Sequence, residues 1–187
     1  TLDEPVTVCD AEDAVEMPEI KGDVTFENVT FAYEEGKDVL KNVSFTVKAG
    51  ESVALVGPTG AGKSTIVNLI SRFYNVGQGR VLIDGQDIAK VTLRSLRSQM
   101  GIMLQDSFIF SGTIEDNIRY GKLDATTEEI VKASKTVCAH DFINRFTDGY
   151  QTEVKERGSL LSQGQKQLIS FARTLLSDPA ILVLDEA

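Results

Sequence analysis

The stretch Gly57-Pro58-Thr59-Gly60-Ala61-Gly62-Lys63-Ser64 decides the fold class of this chain. Residues 52–56 before it form a short apolar run with the character of a buried strand, and residues 65–73 after it carry apolar side chains at helical spacing. A strand, a glycine-rich loop and a helix in this order form the context in which the GxxxxGKS pattern binds phosphate. The sequence therefore predicts an α/β domain built around a phosphate-binding loop.

The residue types of this loop suit a ligand that carries several negative charges. Gly57, Gly60 and Gly62 let the main chain curl closely around phosphate oxygens, because they have no Cβ atom. Lys63 would reach the terminal phosphates, and the Ser64 hydroxyl would ligate Mg²⁺. The alternative, a glycine-rich turn that binds nothing, is disfavoured by the complete match in this context. We therefore expect a nucleoside triphosphate to contact Gly57, Pro58, Thr59, Gly60, Ala61, Gly62, Lys63, Ser64 and Thr65.

Composition and charge limit the classes of protein to which the chain can belong. It has 187 residues, of which 42% are hydrophobic, and this suits one α/β domain with a sizeable core. The formal net charge of −9 argues against nucleic acid and against an anionic membrane surface as direct partners. The sequence has no membrane-spanning run or signal peptide, and the missing initiator Met suggests a piece of a longer protein. Cys9 and Cys138 are predicted to be free thiols in a reducing compartment.

Alternating and continuous apolar runs predict several strands. The alternation within residues 24–33 changes phase at Glu27 and Asn28, which predicts either one strand with a bulge or two short strands. Residues 1–21 are acidic and lack periodicity, so they are predicted to form a linker outside the core. Further strands are predicted at 43–47, 81–83, 101–105 and 180–184, with a hairpin turn at Asp84-Gly85.

Cap residues and apolar stripes predict the helices. A short basic helix is expected over residues 93–100, and the clearest helix covers residues 162–176. A capping box at Thr126 and Glu129 opens another helix, which is expected to include the single histidine, His140.

An apolar strand near the end of the chain delivers two carboxylates, Asp185 and Glu186, at its C-terminal tip. In open α/β sheets, ligands lie beyond the carboxyl ends of the strands. Asp185 would hold a Mg²⁺-bound water, and Glu186 would polarise a water that attacks the γ-phosphate. Two solvated carboxylates at a strand end are common, but the phosphate loop upstream favours the catalytic interpretation.

A third stretch, Leu161-Ser162-Gln163-Gly164-Gln165-Lys166-Gln167, completes a resemblance to the ATP-binding cassette (ABC) family. The resemblance extends from about Gly22 to Ala187. It implies an α/β fold with a P-loop NTPase core (a mostly parallel sheet with flanking helices), an antiparallel β subdomain and a helical subdomain at about 107–165 that carries the signature motif. Residues 1–21 would then be the linker from a membrane domain. Residues 22–187 would be an incomplete nucleotide-binding domain that lacks the family's C-terminal part.

The third stretch resembles the family's signature motif, which contacts the γ-phosphate of an ATP molecule held by the opposite subunit. The residues alone predict a helix N-terminus, because Ser162 is a good N-cap and Gln165 follows three residues later. An ordinary capping box explains both residues equally well, but it does not explain Gly164, which disfavours a helix and permits close approach of a ligand. The resemblance implies contacts to ATP in trans by Ser162, Gly164 and Gln165, whereas Gln163 replaces a glycine that is usual in the family.

The resemblance gives roles to two more residues. Gln105 resembles the loop glutamine that touches Mg²⁺ or the attacking water, and residues 107–118 after it resemble the exporter branch of the family. Tyr33 resembles the aromatic residue that stacks on the adenine ring. Residues 152–158 resemble an exporter segment close to the membrane-domain couplers. The implied metal ligands are Ser64, Gln105 and Asp185, and the implied catalytic residues are Glu186 and Gln105.

The resemblance implies a protein that binds Mg-ATP and couples its hydrolysis to the export of a substrate. Its partners would be a transmembrane domain of the same or an associated chain and a second nucleotide-binding domain, in a homodimer or heterodimer at the cytoplasmic face of the cell membrane. A soluble ABC ATPase acting on nucleic acid or ribosomes is an alternative, against which the net charge and the exporter-like stretch count.

The sequence also bears on how the chain would hydrolyse a nucleotide. A nucleotide-gated subunit with weak hydrolysis stays open because of Gln163, and a GTPase is disfavoured because the DxxG and NKxD motifs are absent. The chain stops at Ala187, before the place where the family has its switch histidine. We therefore expect residues 1–187 alone to hydrolyse ATP weakly or not at all.

Overall fold

The computed structural model describes residues 8–103, 108–154 and 159–185 of the chain. The chain divides into two compact units, Thr1–Met100 and Gly101–Ala187. Both units contain strands and helices, which confirms the predicted α/β class. Within the described ranges, no helix has both the length and the apolar character needed to cross a bilayer.

The first unit consists of an antiparallel sheet and a set of short helices. Its strands are β1 (Val24–Ala32), β2 (Asp38–Val47), β3 (Gln78–Ile83) and β4 (Gln86–Asp87), and its helices are α1 (Lys63–Ile70), a 3₁₀-helix (Ile88–Lys90) and α2 (Leu93–Arg97). The strands pair in the order β2-β1-β3-β4. Because β1 lies between two neighbours, its inward side chains Phe26 and Val29 are almost completely buried.

The phase change inside β1 is a bulge within one strand. The pairing of β1 with β2 shifts between Phe26 and Val29, and Asn28 adopts a left-handed conformation with φ of 50°. The Ser44 hydroxyl accepts a hydrogen bond of 2.8 Å from the Asn28 backbone N–H, which satisfies a donor near the bulge. Of the two alternatives that the sequence left open, one bulged strand is confirmed.

Gly79 is required where β3 passes this bulge. Its φ is +79°, and a Cβ atom there would lie 2.6 Å from the carbonyl carbon of Asn28. Gly36 has nearly the same φ, +78°, but a Cβ atom there would meet nothing within 4 Å. A side chain at Gly36 would therefore meet backbone strain alone, whereas one at Gly79 would meet both strain and a steric clash.

We expect Gly79→Ala to lower the free energy of unfolding by about 3 kcal/mol, because a backbone clash adds to the left-handed strain. The control Gly36→Ala should lose only about 1 kcal/mol, from the strain alone. Urea unfolding of both variants measures the difference. Equal losses would show that the backbone carbonyls of Glu27 and Asn28 move aside at no cost.

The segment before β1 belongs partly to the core. Met17 and Ile20 are buried, and Val15 forms a parallel bridge with Val91. The Met17 backbone N–H donates to the Ser95 hydroxyl over 2.8 Å. The prediction that residues 1–21 lie outside the core is therefore wrong for Met17 and Ile20. Whether the segment connects to a membrane domain stays a prediction.

The second unit is mainly helical. Its strands are β5 (Met100–Met103, which starts at the last residue of the first unit), β6 (Gly112–Thr113), β7 (Glu153–Val154) and β8 (Ile181–Leu184). Its helices are α3 (Ile114–Arg119), α4 (Thr127–Thr136), α5 (His140–Ile143), a 3₁₀-helix (Gly149–Gln151) and α6 (Gln163–Leu176). β5 pairs with β8, and β6 pairs with β7. The core forms where α6 packs against α3 and α4, and its fully buried side chains include Ile114, Ile118, Ile130, Ile143 and Ile169.

Capping boxes begin three helices of this unit, at Thr113, Thr126 and Ser162. The box at Thr126 confirms the predicted start of α4. In the box at Thr113, hydrogen bonds from the side chain and backbone of that residue hold the pKa of the Asp116 carboxyl below its usual value. Each box satisfies backbone N–H groups that the first helical turn leaves without an internal partner.

Two helix boundaries differ from those predicted. The basic helix α2 ends at Arg97 instead of Met100. His140 does not belong to the helix that follows Thr126, because α4 ends at Thr136 and Cys138 adopts a positive φ of 60°. His140 instead begins the short helix α5, where its Nδ1 atom lies 2.9 Å from the Tyr150 hydroxyl.

Candidate nucleotide-binding site

The phosphate loop of the first unit leads directly into α1. Gly62 is the N-cap of this helix, with φ of 88°, and no side chain caps the helix through a hydrogen bond. The first N–H groups of a helix have no partner within it. The N-terminus of α1 thus presents backbone donors and a positive dipole end, as the sequence predicts.

Glycine is needed at position 62 for a steric reason as well. A Cβ atom on Gly62 would lie 2.7 Å from the Leu40 Cδ2 atom, so the loop packs tightly against β2. Gly60 has a φ of +84° and open space around it. Residues 51–61 are exposed. The loop is therefore supported from within its unit, and its outer side is accessible to a ligand.

The Lys63 side chain folds back over the loop. Its ammonium group donates to the carbonyl oxygens of Gly57 at 2.8 Å and Pro58 at 3.0 Å. Carbonyl oxygens carry a partial negative charge, so they hold the ammonium close to the uncapped start of α1. A phosphate group at this place would offer the same ammonium stronger, charge-assisted bonds.

The strand predicted just before the loop is absent. Residues 52–56 form no strand, and Val53, Leu55 and Val56 have exposed fractions of 58%, 40% and 92%. An apolar run forms a strand only where neighbouring strands pair with its N–H and C=O groups. Within the described ranges, no strand pairs with these residues. This part of the prediction is wrong, although the loop and the helix after it form.

Tyr33 lies beside the first turns of α1. Its hydroxyl donates to the Thr65 hydroxyl at 3.2 Å and accepts from the Asn68 amide, also at 3.2 Å. The Tyr33 side chain is 47% exposed, whereas Thr65 is buried. An exposed aromatic ring is thus fixed to the helix that carries the phosphate loop. Its stacking on a base stays a prediction.

Tyr74 is a residue that the sequence analysis missed. Its ring contacts the Tyr33 ring, with centroids 5.0 Å apart and planes at 86°. The only signal in the sequence is an aromatic residue shortly after a helix, which does not show where the ring points. The contact joins residues that are far apart along the chain.

The described part of the carboxylate motif lies in the second unit. Asp185 directly follows β8 and is half-buried, and its backbone N–H donates to the Met103 carbonyl oxygen at 2.9 Å. This bond holds the end of β8 against β5. Glu186 and Gln105, to which the resemblance gives catalytic roles, lie outside the described residues. Their positions stay predictions.

The signature-like stretch begins α6 as expected. Ser162 is the N-cap, its backbone N–H donates to Gln165 Oε1 at 2.9 Å, and the Gln165 N–H donates to the Ser162 hydroxyl at 3.3 Å. Ser162, Gln163 and Gly164 are exposed. A Cβ atom on Gly164 would meet nothing within 4 Å, so packing within the unit does not require glycine there.

Comparisons with known proteins agree with these motifs. The family model for the ABC transporter matches residues 40–187. The uncharacterized ABC transporter ATP-binding protein YfiC of Bacillus subtilis (strain 168) is 53% identical over 186 residues, which are 100% of this chain and 31% of that protein. A fatty acid ABC transporter ATP-binding/permease protein of Mycobacterium bovis is 50% identical over 100% of this chain and 29% of its own length.

A solved structure extends the similarity to the fold. The structure of a bacterial Atm1-family ABC exporter with ATP bound matches 99% of this chain and 32% of its own chain, with 49% identity and a TM-score of 0.94. The chain therefore spans about a third of the length of these proteins. The matched family model covers both the phosphate loop and the signature-like stretch. The chain belongs to the ABC transporter family and is an ATP-binding domain of the exporter type.

Proposed function

We propose that this chain binds ATP together with Mg²⁺ and, paired with a second nucleotide-binding domain, couples ATP hydrolysis to the export of a substrate across a membrane. The observation that carries the proposal is the uncapped N-terminus of α1 with the Lys63 ammonium beside it. This arrangement supports a site for a phosphate chain, because backbone donors and a cation lie in one loop.

The proposed metal ligands suit Mg²⁺. Ser64 offers a hydroxyl oxygen, and in the second unit Asp185 offers a carboxylate, both of which are hard oxygen donors. The described residues hold no cluster of three or more His, Cys, Asp or Glu side chains that could bind a metal by themselves. Mg²⁺ commonly takes its remaining ligands from water and from the phosphates. Gln105 is proposed as a further ligand.

Hydrolysis in this proposal uses a water that attacks the γ-phosphate. Mg²⁺, when bound, would neutralise charge on the phosphate oxygens. Glu186 would accept a proton from the attacking water, and Gln105 would help to orient that water. Lys63 would keep the terminal phosphates in place.

The second nucleotide-binding domain is proposed to meet this one at the start of α6. Ser162, Gly164 and Gln165 would contact the ATP molecule that the other domain holds. The exposure of Ser162 and Gly164 and the open space around Gly164 support this contact. The backbone donors of a helix N-terminus can bind a phosphate group of ATP held by a partner domain as well as one held by the same chain.

We expect Gly164→Gln to reduce ATP hydrolysis by about tenfold or more, while ATP affinity stays unchanged and thermal stability does not fall, because glutamine favours a helix more than glycine does. The added side chain has room within its own unit, so only a partner that approaches position 164 would meet it. Hydrolysis assays, isothermal titration and thermal unfolding of the full-length protein give the three readouts. Hydrolysis at the wild-type rate would exclude a partner at this position.

The membrane part of the proposal rests on the relatives. The fatty acid transporter of Mycobacterium bovis is described as an ATP-binding/permease protein, which supports a transmembrane domain as a partner. A location at the cytoplasmic face of the cell membrane is part of the same proposal. Full-length protein in liposomes should release phosphate from ATP, and EDTA should stop the release. No phosphate release in Mg²⁺-containing buffer would contradict the proposal.

A further inference from the structure

Three aromatic rings form a cluster in the first unit. The ring of Tyr33 meets that of Phe31 at a centroid distance of 4.9 Å and that of Tyr74 at 5.0 Å, with interplanar angles of 88° and 86°. Phe31 and Tyr74 also contact each other, at 5.7 Å. Edge-to-face contacts of this kind stabilise a defined ring orientation. The ring of Tyr33 is therefore held by two neighbours.

The cluster is tied to the phosphate-loop helix. The hydroxyl of Tyr33 is bonded to Thr65 and Asn68, which lie in the first two turns of α1. The Tyr33 side chain is thus held by the hydrogen bonds of its hydroxyl and by contacts with the rings of Phe31 and Tyr74. Because Thr65 and Asn68 belong to α1, which begins at the end of the phosphate loop, these bonds also fix the position of Tyr33 relative to the loop.

Exposure separates the members of the cluster. Phe31 is buried, with an exposed fraction of 5%, whereas Tyr33 and Tyr74 are 47% and 42% exposed. A ring that served only the core would be buried as Phe31 is. Tyr74 is instead nearly as exposed as Tyr33, and its ring contacts the Tyr33 ring.

We propose that Tyr74 is a positioning residue for the base of the nucleotide, which acts by holding the Tyr33 ring in the orientation that stacks on adenine. The inference rests on the proposed binding of ATP. Stacking requires one flat face at a fixed angle to the phosphate loop, since the base and the phosphates belong to one ligand. Without the Tyr74 ring, Tyr33 keeps its hydroxyl bonds and Phe31 but loses one of its two ring contacts.

The test compares a ligand that has a base with one that has none. Affinities of the full-length protein for ATP and for inorganic tripolyphosphate are measured by isothermal titration. Tyr74→Leu should weaken ATP binding by about two- to tenfold, as expected for the loss of one aromatic contact, and should leave tripolyphosphate binding unchanged. Tyr74→Phe, which keeps the ring, should restore the ATP affinity.

A control and a second variant separate the outcomes. Phe73→Leu changes the neighbouring half-exposed ring, which lies under the Arg97 guanidinium, and should alter neither affinity. Tyr33→Leu should weaken ATP binding at least as much as Tyr74→Leu. An equal loss of ATP and tripolyphosphate affinity in Tyr74→Leu, or no loss, would overturn the positioning role. If Tyr33→Leu also leaves the ratio of the two affinities unchanged, stacking by Tyr33 itself is excluded.

Discussion

Replacing Lys63 by alanine should lower the affinity for ATP by about a hundredfold or more. Lys63 is the first residue of α1, and its ammonium is bonded to the carbonyl oxygens of Gly57 and Pro58 in the loop. Bonds between charged groups contribute about 1.5–3 kcal/mol each, so the loss of contacts to several phosphate oxygens gives an effect of this size. Isothermal titration of the full-length protein with ATP measures it.

The same substitution should change the stability of the protein little. The hydrogen bonds that Lys63 makes are exposed to solvent, and no buried group loses its partner. Lys90→Ala is a matched control, because it removes an exposed lysine from the same unit. An ATP affinity of Lys63→Ala within threefold of the wild-type value would contradict the proposed role of the loop.

Replacing Glu186 by glutamine should slow ATP hydrolysis by about a hundredfold or more and leave ATP binding intact. An amide has the shape of the carboxylate but cannot accept the proton of an attacking water, and general base catalysis typically contributes 10²–10⁴-fold. Asp185 directly follows β8, and Glu186 is the next residue in the sequence. Phosphate release at saturating ATP measures the rate.

Glu128→Gln is the control for this substitution, since Glu128 is an exposed carboxylate in the first turn of α4. Its hydrolysis rate should equal that of the wild-type protein. Glu186→Gln should also retain nucleotide in a filter-binding assay, because only the chemical step is blocked. Hydrolysis by Glu186→Gln at more than a tenth of the wild-type rate would assign the base to another residue.

Local signals in the sequence predicted the structure well. The capping boxes at Thr126 and Ser162 begin helices, and Asp84 and Gly85 turn a hairpin with positive φ values of 50° and 77°. Each of these features depends on residues within a few positions of one another. The chemistry of a cap or a turn is complete in the sequence itself.

Features that depend on distant partners were harder to predict. Residues 52–56 have the composition of a buried strand, but within the described ranges no strand pairs with them and their side chains are exposed. Pairing depends on a second strand, which the residues of this run do not specify. Met17 and Ile20 were missed for the opposite reason: they are buried in an irregular segment that has no period. Burial depends on contacts across the whole unit, so a short window of sequence gives little information about it.

The candidate site shows the same difference between features set by nearby residues and features set by distant ones. The loop around Gly62 and Lys63 was predicted from a motif, because spacing along the chain determines its geometry. Tyr74 was missed because its contact with Tyr33 is made across the fold. The exposed Gly164 is intermediate: the start of its helix is predicted locally, but packing within the unit does not require a glycine there, and its contact with a partner stays a proposal.

Hydrogen exchange of the backbone amides in residues 57–66 of the full-length protein, with and without Mg-ATP, is the most direct test of nucleotide binding at this loop. The first N–H groups of α1 have no side-chain cap, so bound phosphates should accept their hydrogen bonds and slow their exchange. Amides within the β1–β2 pair should exchange equally in both states. Exchange in residues 57–66 that saturating Mg-ATP leaves unchanged would show that the loop does not hold the nucleotide.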